Sequence, residues 1–73
     1  MRWTMEYAVI IEKAPDGSFS AYVPDLPGCV SCADSCEEVQ LTIKEAIRWH
    51  IDSLQLHGDP VPEPTTSVCK IHV

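Results

Sequence analysis

Several things are scarce in this sequence, and each shortage excludes a class of function. No apolar run approaches the roughly 18 residues of a membrane span, so no transmembrane helix is expected. Basic side chains number only five against 11 acidic ones, a net charge of -6. Nucleic-acid affinity comes largely from lysines and arginines that displace counterions, so direct contact with a phosphate backbone is disfavoured and a cationic protein partner suits the charge better. The three glycines form no phosphate-cradling loop, and neither G-x-S-x-G nor H-E-x-x-H occurs. Hydrolase, nucleotide-enzyme and metalloprotease chemistry therefore has no foothold, and a non-enzymatic protein is expected. The N-terminus shows no apolar run ending in a cleavage site, which predicts a cytoplasmic protein with reduced thiols.

What is present is one small domain of 73 residues, 45% apolar and 22% charged. A chain this short has a thin core, so association is an expected supplement. Residues 4–13 place Met5, Tyr7, Val9 and Ile11 at the period of two that marks one face of a strand. Pro15-Asp16-Gly17-Ser18 is a turn, and Phe19, Ala21 and Val23 alternate with Ser20 and Tyr22 in a second, antiparallel strand. Pro24-Asp25-Leu26-Pro27-Gly28 breaks that strand, and a short third one follows from Cys29 to Ala33.

Ser35-Cys36-Glu37-Glu38 carries the signature of a capping box, and residues 36–57 are expected to be helical. Val39, Ile43, Ala46, Ile47, His50 and Leu54 fall on one stripe of that helix, with Lys44, Glu45, Arg48, Asp52 and Gln55 opposite. Gly58, followed by Pro60, Pro62 and Pro64, stops it and leads into a stiff connector. Residues 67–73 alternate again, with Cys69, Ile71 and Val73 on one side, and predict a fourth strand. The expected class is α+β in the order β-β-β-α-β: one mainly antiparallel sheet with a single helix on one face. The other face then carries Ala8, Ile10, Tyr22 and Val30, an apolar set suited to self-association.

Cys29, Cys32 and Cys36 are spaced like soft metal ligands. An offset of three on a strand, however, points Cys29 and Cys32 to opposite faces, and free cysteine is commonly a small buried hydrophobe. No metal or other cofactor is expected, the three thiols remaining the weaker alternative. His50 reads as a core-edge residue and His57 as a partner of the helix C-terminus. Trp49 and Leu56 share a flank of the helix beside Glu38, Glu45 and Asp52. A tryptophan there is either the rim of the protein's own core or an interface anchor.

Tyr7-Ala8-Val9-Ile10-Ile11-Glu12, Asp16-Gly17-x-Phe19, Val23-Pro24-Asp25-Leu26-Pro27-Gly28-Cys29, Glu37-Glu38 and Glu45-Ala46-Ile47, taken in order, resemble the HicB antitoxin family over residues 5–56. The resemblance implies a partly degraded ribonuclease-H-like fold. It also implies a function: binding and neutralising small basic HicA toxins, which cleave messenger RNA, often with repression of the shared operon. Cys29 belongs to the family's motif, whereas Cys32 and Cys36 stand where the family commonly has other small or polar residues. Many members append a DNA-binding domain; here a single domain over 1–73 without one is expected, so this chain alone is not expected to bind its promoter. Glu6 and Glu12 share a strand face but lie about 20 Å apart, too far for a shared metal site. The expected toxin-binding groups are Asp25, Asp34, Glu38, Glu45, Trp49 and Asp52, and the expected self-association groups are Ala8, Ile10 and Tyr22. An oligomeric accessory domain without a toxin partner is the alternative.

Overall fold

The computed structural model describes residues 5–73; Thr4, the expected start of the first strand, and residues 1–3 lie outside the described residues. Three strands precede one helix: β1 (Ile10–Lys13), β2 (Phe19–Tyr22), β3 (Val30–Ala33) and α1 (Cys36–Leu56). The strands form one antiparallel sheet in the order β1-β2-β3, with Ile10 opposite Tyr22 and Tyr22 opposite Val30. Helix α1 packs on β2 and β3, leaving the second face of the sheet open.

The hairpin between β1 and β2 follows from its turn residues. Gly17 takes φ +92°, a conformation that a side chain would strain. The Asp16 carboxylate accepts hydrogen bonds from the Ser18 amide at 2.9 Å and its hydroxyl at 2.7 Å. These bonds hold the Asp16 carboxyl below the ordinary carboxylate range, the Ser18 amide contributing most.

The loop from Val23 to Cys29 is built as two successive turns, with the Leu26 amide donating to the Val23 carbonyl and the Cys29 amide to the Leu26 carbonyl. Those turns drive Leu26 and Cys29 inward, where they join Ala21, Val23, Val39 and Ile43 in the buried core. The Pro-Asp-Leu-Pro-Gly-Cys segment is thus a core plug: its prolines and glycine shape the turns, and its apolar members fill the space beneath the helix. Burial pushes the Cys29 thiol pKa upward, so it remains a protonated hydrophobe.

Ser35 caps α1, its hydroxyl accepting from the Glu38 amide at 3.1 Å. At the other end the Asp59 amide reaches the Leu54 carbonyl at 2.8 Å and the Gly58 amide reaches the Gln55 carbonyl at 3.1 Å. With Gly58 at φ +74°, this is a Schellman closure that satisfies the last carbonyls.

Two sequence expectations need correction. The first strand is shorter than expected, because extending the β1–β2 register backward sets Ala8 opposite Pro24, which has no amide to donate. Tyr7 and Val9 nonetheless pack against the core as extended chain. The fourth strand is not formed among the described residues: 59–73 pair with no strand there. The connector instead folds back, with the Tyr7 hydroxyl donating to the Pro62 carbonyl. The Asp25 carboxylate then accepts four hydrogen bonds, from the amides and hydroxyls of Thr65 and Thr66, at 2.8–3.1 Å. Past that clip, Val68, Ile71 and Val73 are exposed.

Candidate partner-binding surface

Helical geometry gathers most of the expected site residues. At 100° per residue, Glu38, Thr42, Glu45, Trp49 and Asp52 fall within about 80° of one another on α1. Their face flanks the buried stripe of Val39 and Ile43 on the side of β3. Asp34 precedes the helix and joins Glu38 and Thr42, with Ser18, Cys32 and Ala33, around a depression of about 360 Å³. A second hollow of about 200 Å³ is lined by Thr42, Glu45, Ala46 and Trp49. Thr42 belongs to both, so the two hollows form one strip.

Sequence reasoning did not single out Thr42, although its helical position between Glu38 and Glu45 was the available signal. Its hydroxyl donates to the Val39 carbonyl at 3.1 Å and accepts from the Ser31 hydroxyl at 2.7 Å, which ties the strip to β3. Trp49 is 74% exposed and Leu56, on the same flank, 83% exposed. That exposure speaks against Trp49 as a rim of the protein's own core. Asp34, Glu38, Glu45 and Asp52 are all exposed, and no lysine or arginine lies among the residues of the strip.

Asp25 is not part of this surface. Its carboxylate is taken up by Thr65 and Thr66, and these donors, the Thr66 amide foremost, hold its carboxyl below the ordinary range. These bonds are intramolecular and clip the connector.

The open sheet face carries a cross-strand row of Ile10, Tyr22 and Val30, in direct register, with Tyr22 41% and Val30 65% exposed. Ala8 precedes this row on the same side of the chain and is half-buried. The next row is Glu12, Ser20 and Cys32. Cys32 therefore lies on the open face while Cys29 is buried on the other. Cys36 opens the helix, where the Gln40 amide donates to its Sγ at 3.4 Å. Among the described residues no group of three or more His, Cys, Asp or Glu side chains is placed to hold a metal ion. His57 caps the helix C-terminus with Nδ1 2.8 Å from the Ser53 carbonyl. Among the described residues no helix is long and apolar enough to cross a membrane.

A three-stranded antiparallel sheet backed by one helix, with an acidic, aromatic-centred strip on that helix, defines a small α+β domain. Comparison with known proteins specifies the kind: a family model described as the HicB-like antitoxin of bacterial toxin-antitoxin systems matches residues 7–72. The chain belongs to this HicB-like antitoxin family. It is 40% identical over 68 residues to the UPF0150 protein Ta0767 of Thermoplasma acidophilum, covering 93% of this chain and 99% of that one. It is 44% identical over 57 residues to the UPF0150 protein ssr1765 of Synechocystis, covering 78% of this chain and 72% of the relative. An uncharacterized 14.9 kDa protein in the rep-hol intergenic region of Haemophilus phage HP1 is 41% identical over 59 residues, covering 81% of this chain and 44% of that longer protein.

Proposed function

We propose that this protein is a cytoplasmic, non-enzymatic antitoxin that binds and neutralises a small basic HicA-like toxin through the strip of Asp34, Glu38, Glu45, Trp49 and Asp52. The observation that carries the reading is the placement of an exposed tryptophan among carboxylates on one helix face, in a chain of an antitoxin family. Carboxylates at the rim steer a cationic partner toward the strip, and the indole supplies short-range energy once desolvated. The toxin is inhibited by occlusion of its catalytic or RNA-binding surface. Repression of the operon needs a DNA-binding surface beyond the residues of this domain, whose basic side chains are few and scattered.

The protein also self-associates through the open face, where Ala8, Ile10 and Tyr22, joined by Val30, present an apolar row. Ile10→Lys reduces the mass seen by light scattering without unfolding the chain, because Ile10 faces away from the core. Co-purification with the product of the adjacent reading frame tests the antitoxin reading. A stoichiometric complex with a small basic protein supports it. A folded protein that ignores that product favours an oligomeric accessory domain.

A further inference from the structure

Two features of the molecule lack partners, and they match each other. The first is a groove of about 440 Å³ between β1 and α1, lined by Tyr7, Val9 and Ile11 on one side and Ile43 and Ile47 on the other, with Lys44 and Arg48 also on the helix side. It exists because α1 sits over β2 and β3, so β1 is covered only at its inner margin. Among the described residues the outer edge of β1 is also free, since the sheet ends there. An unpaired edge beside an apolar groove is a template for one more strand.

The second feature is the segment 67–73. Its alternation is that of a strand, yet among the described residues it pairs with no strand, and Val68, Ile71 and Val73 are 59%, 77% and 111% exposed. Charge also fits. The segment holds Lys70 and His72 and no carboxylate in a chain of net charge -6, whereas β1 and the residue stretch before it present Glu6 and Glu12 on the open-face side. With Cys69, Ile71 and Val73 turned to the groove, Lys70 and His72 turn to the side of those carboxylates.

Within one chain the start of the segment is held elsewhere. The connector meets the groove margin at Tyr7, through Pro62, and then leaves it for the β2–β3 loop, where Asp25 clips Thr65 and Thr66. We propose that residues 67–73 of a second copy add as a strand along the free edge of β1 and set Cys69, Ile71 and Val73 into the groove between β1 and α1. Exchanged reciprocally, the two segments join a dimer whose seam is separate from the open sheet face and from the acidic strip. The proposal does not rest on the toxin reading.

Amide hydrogen exchange on the full-length protein across a micromolar to millimolar series, with sedimentation on the same samples, tests it. The expected result is protection of residues 7–13 and 68–72 that rises together with the dimer fraction. In the Ile10→Lys background, which removes the open-face association, Ile71→Asp abolishes both while leaving the circular dichroism spectrum unchanged, because Ile71 is exposed and outside the core. Ile10→Lys, on the open face, leaves the protection of 68–72 in place. Three results overturn the proposal: protection independent of concentration, which means that the segment docks on its own chain; segments unprotected at every concentration; or, in the Ile10→Lys background, a dimer that persists unchanged on Ile71→Asp.

Discussion

Truncating Trp49 to alanine separates binding from stability, because the two draw on different parts of the indole. A fully buried tryptophan hides about 150–250 Å². Trp49 is 74% exposed, so only about a quarter of that area, roughly 50 Å², is shielded in the free protein. At about 25 cal/mol per Å² the lost burial amounts to about 1.3 kcal/mol. Alanine's better helix propensity offsets about 0.5 kcal/mol of this. The net loss is under about 1 kcal/mol, a fall in melting temperature of only a few degrees for a domain of this size. Against a toxin the whole exposed face is at stake, and a hot-spot loss of about 2 kcal/mol weakens binding roughly 30-fold, chiefly by faster dissociation. Thermal unfolding by circular dichroism and binding by surface plasmon resonance on the same preparation read both. A large drop in melting temperature with unchanged affinity refutes the reasoning and moves the interface away from α1.

Leu26→Ala behaves in the opposite way: Leu26 is 0% exposed, and its truncation costs about 2–5 kcal/mol. That is a large share of the roughly 4–11 kcal/mol expected in total at this length, so urea denaturation shows a chain that is barely folded. Glu38→Gln combined with Asp52→Asn slows association and flattens its salt dependence with little change in dissociation, measured by stopped flow at two ionic strengths. For Asp25 the folded carboxyl is depressed, so its clip is fully present above the ordinary carboxylate range and is lost as pH falls through the lowered value. The amide resonances of Thr65 and Thr66 therefore titrate with Asp25 in acid, and Asp25→Ala releases residues 59–66 to rapid hydrogen exchange at neutral pH.

The parts of the fold legible in the sequence are those governed by local chemistry. Ser35 with Glu38 marks the helix start, Gly58 its end, and Pro15-Asp16-Gly17-Ser18 the hairpin, because each acts through a bond to its own neighbours. The face pattern of β1 and β2 was legible too, and with it the Ile10–Tyr22–Val30 row. The length of β1 was not, because it depends on what stands opposite, and Pro24 becomes the partner of Ala8 only once the hairpin register is set. Alternation in 67–73 likewise specifies two faces but no neighbour, so a strand-like segment stands without a strand beside it. Asp25 read as an exposed acid of a recognition loop. Its engagement by Thr65 and Thr66 spans 40 residues of sequence and has no local signature.

Neutralisation of a toxin by the acidic, tryptophan-centred face of α1 is the proposed function. Cleavage of messenger RNA by the purified adjacent-frame toxin, titrated with this protein, measures that directly. Inhibition that saturates at a fixed stoichiometry and shifts to higher concentration in Trp49→Ala is the predicted result. Undiminished cleavage in the presence of excess folded protein contradicts the account.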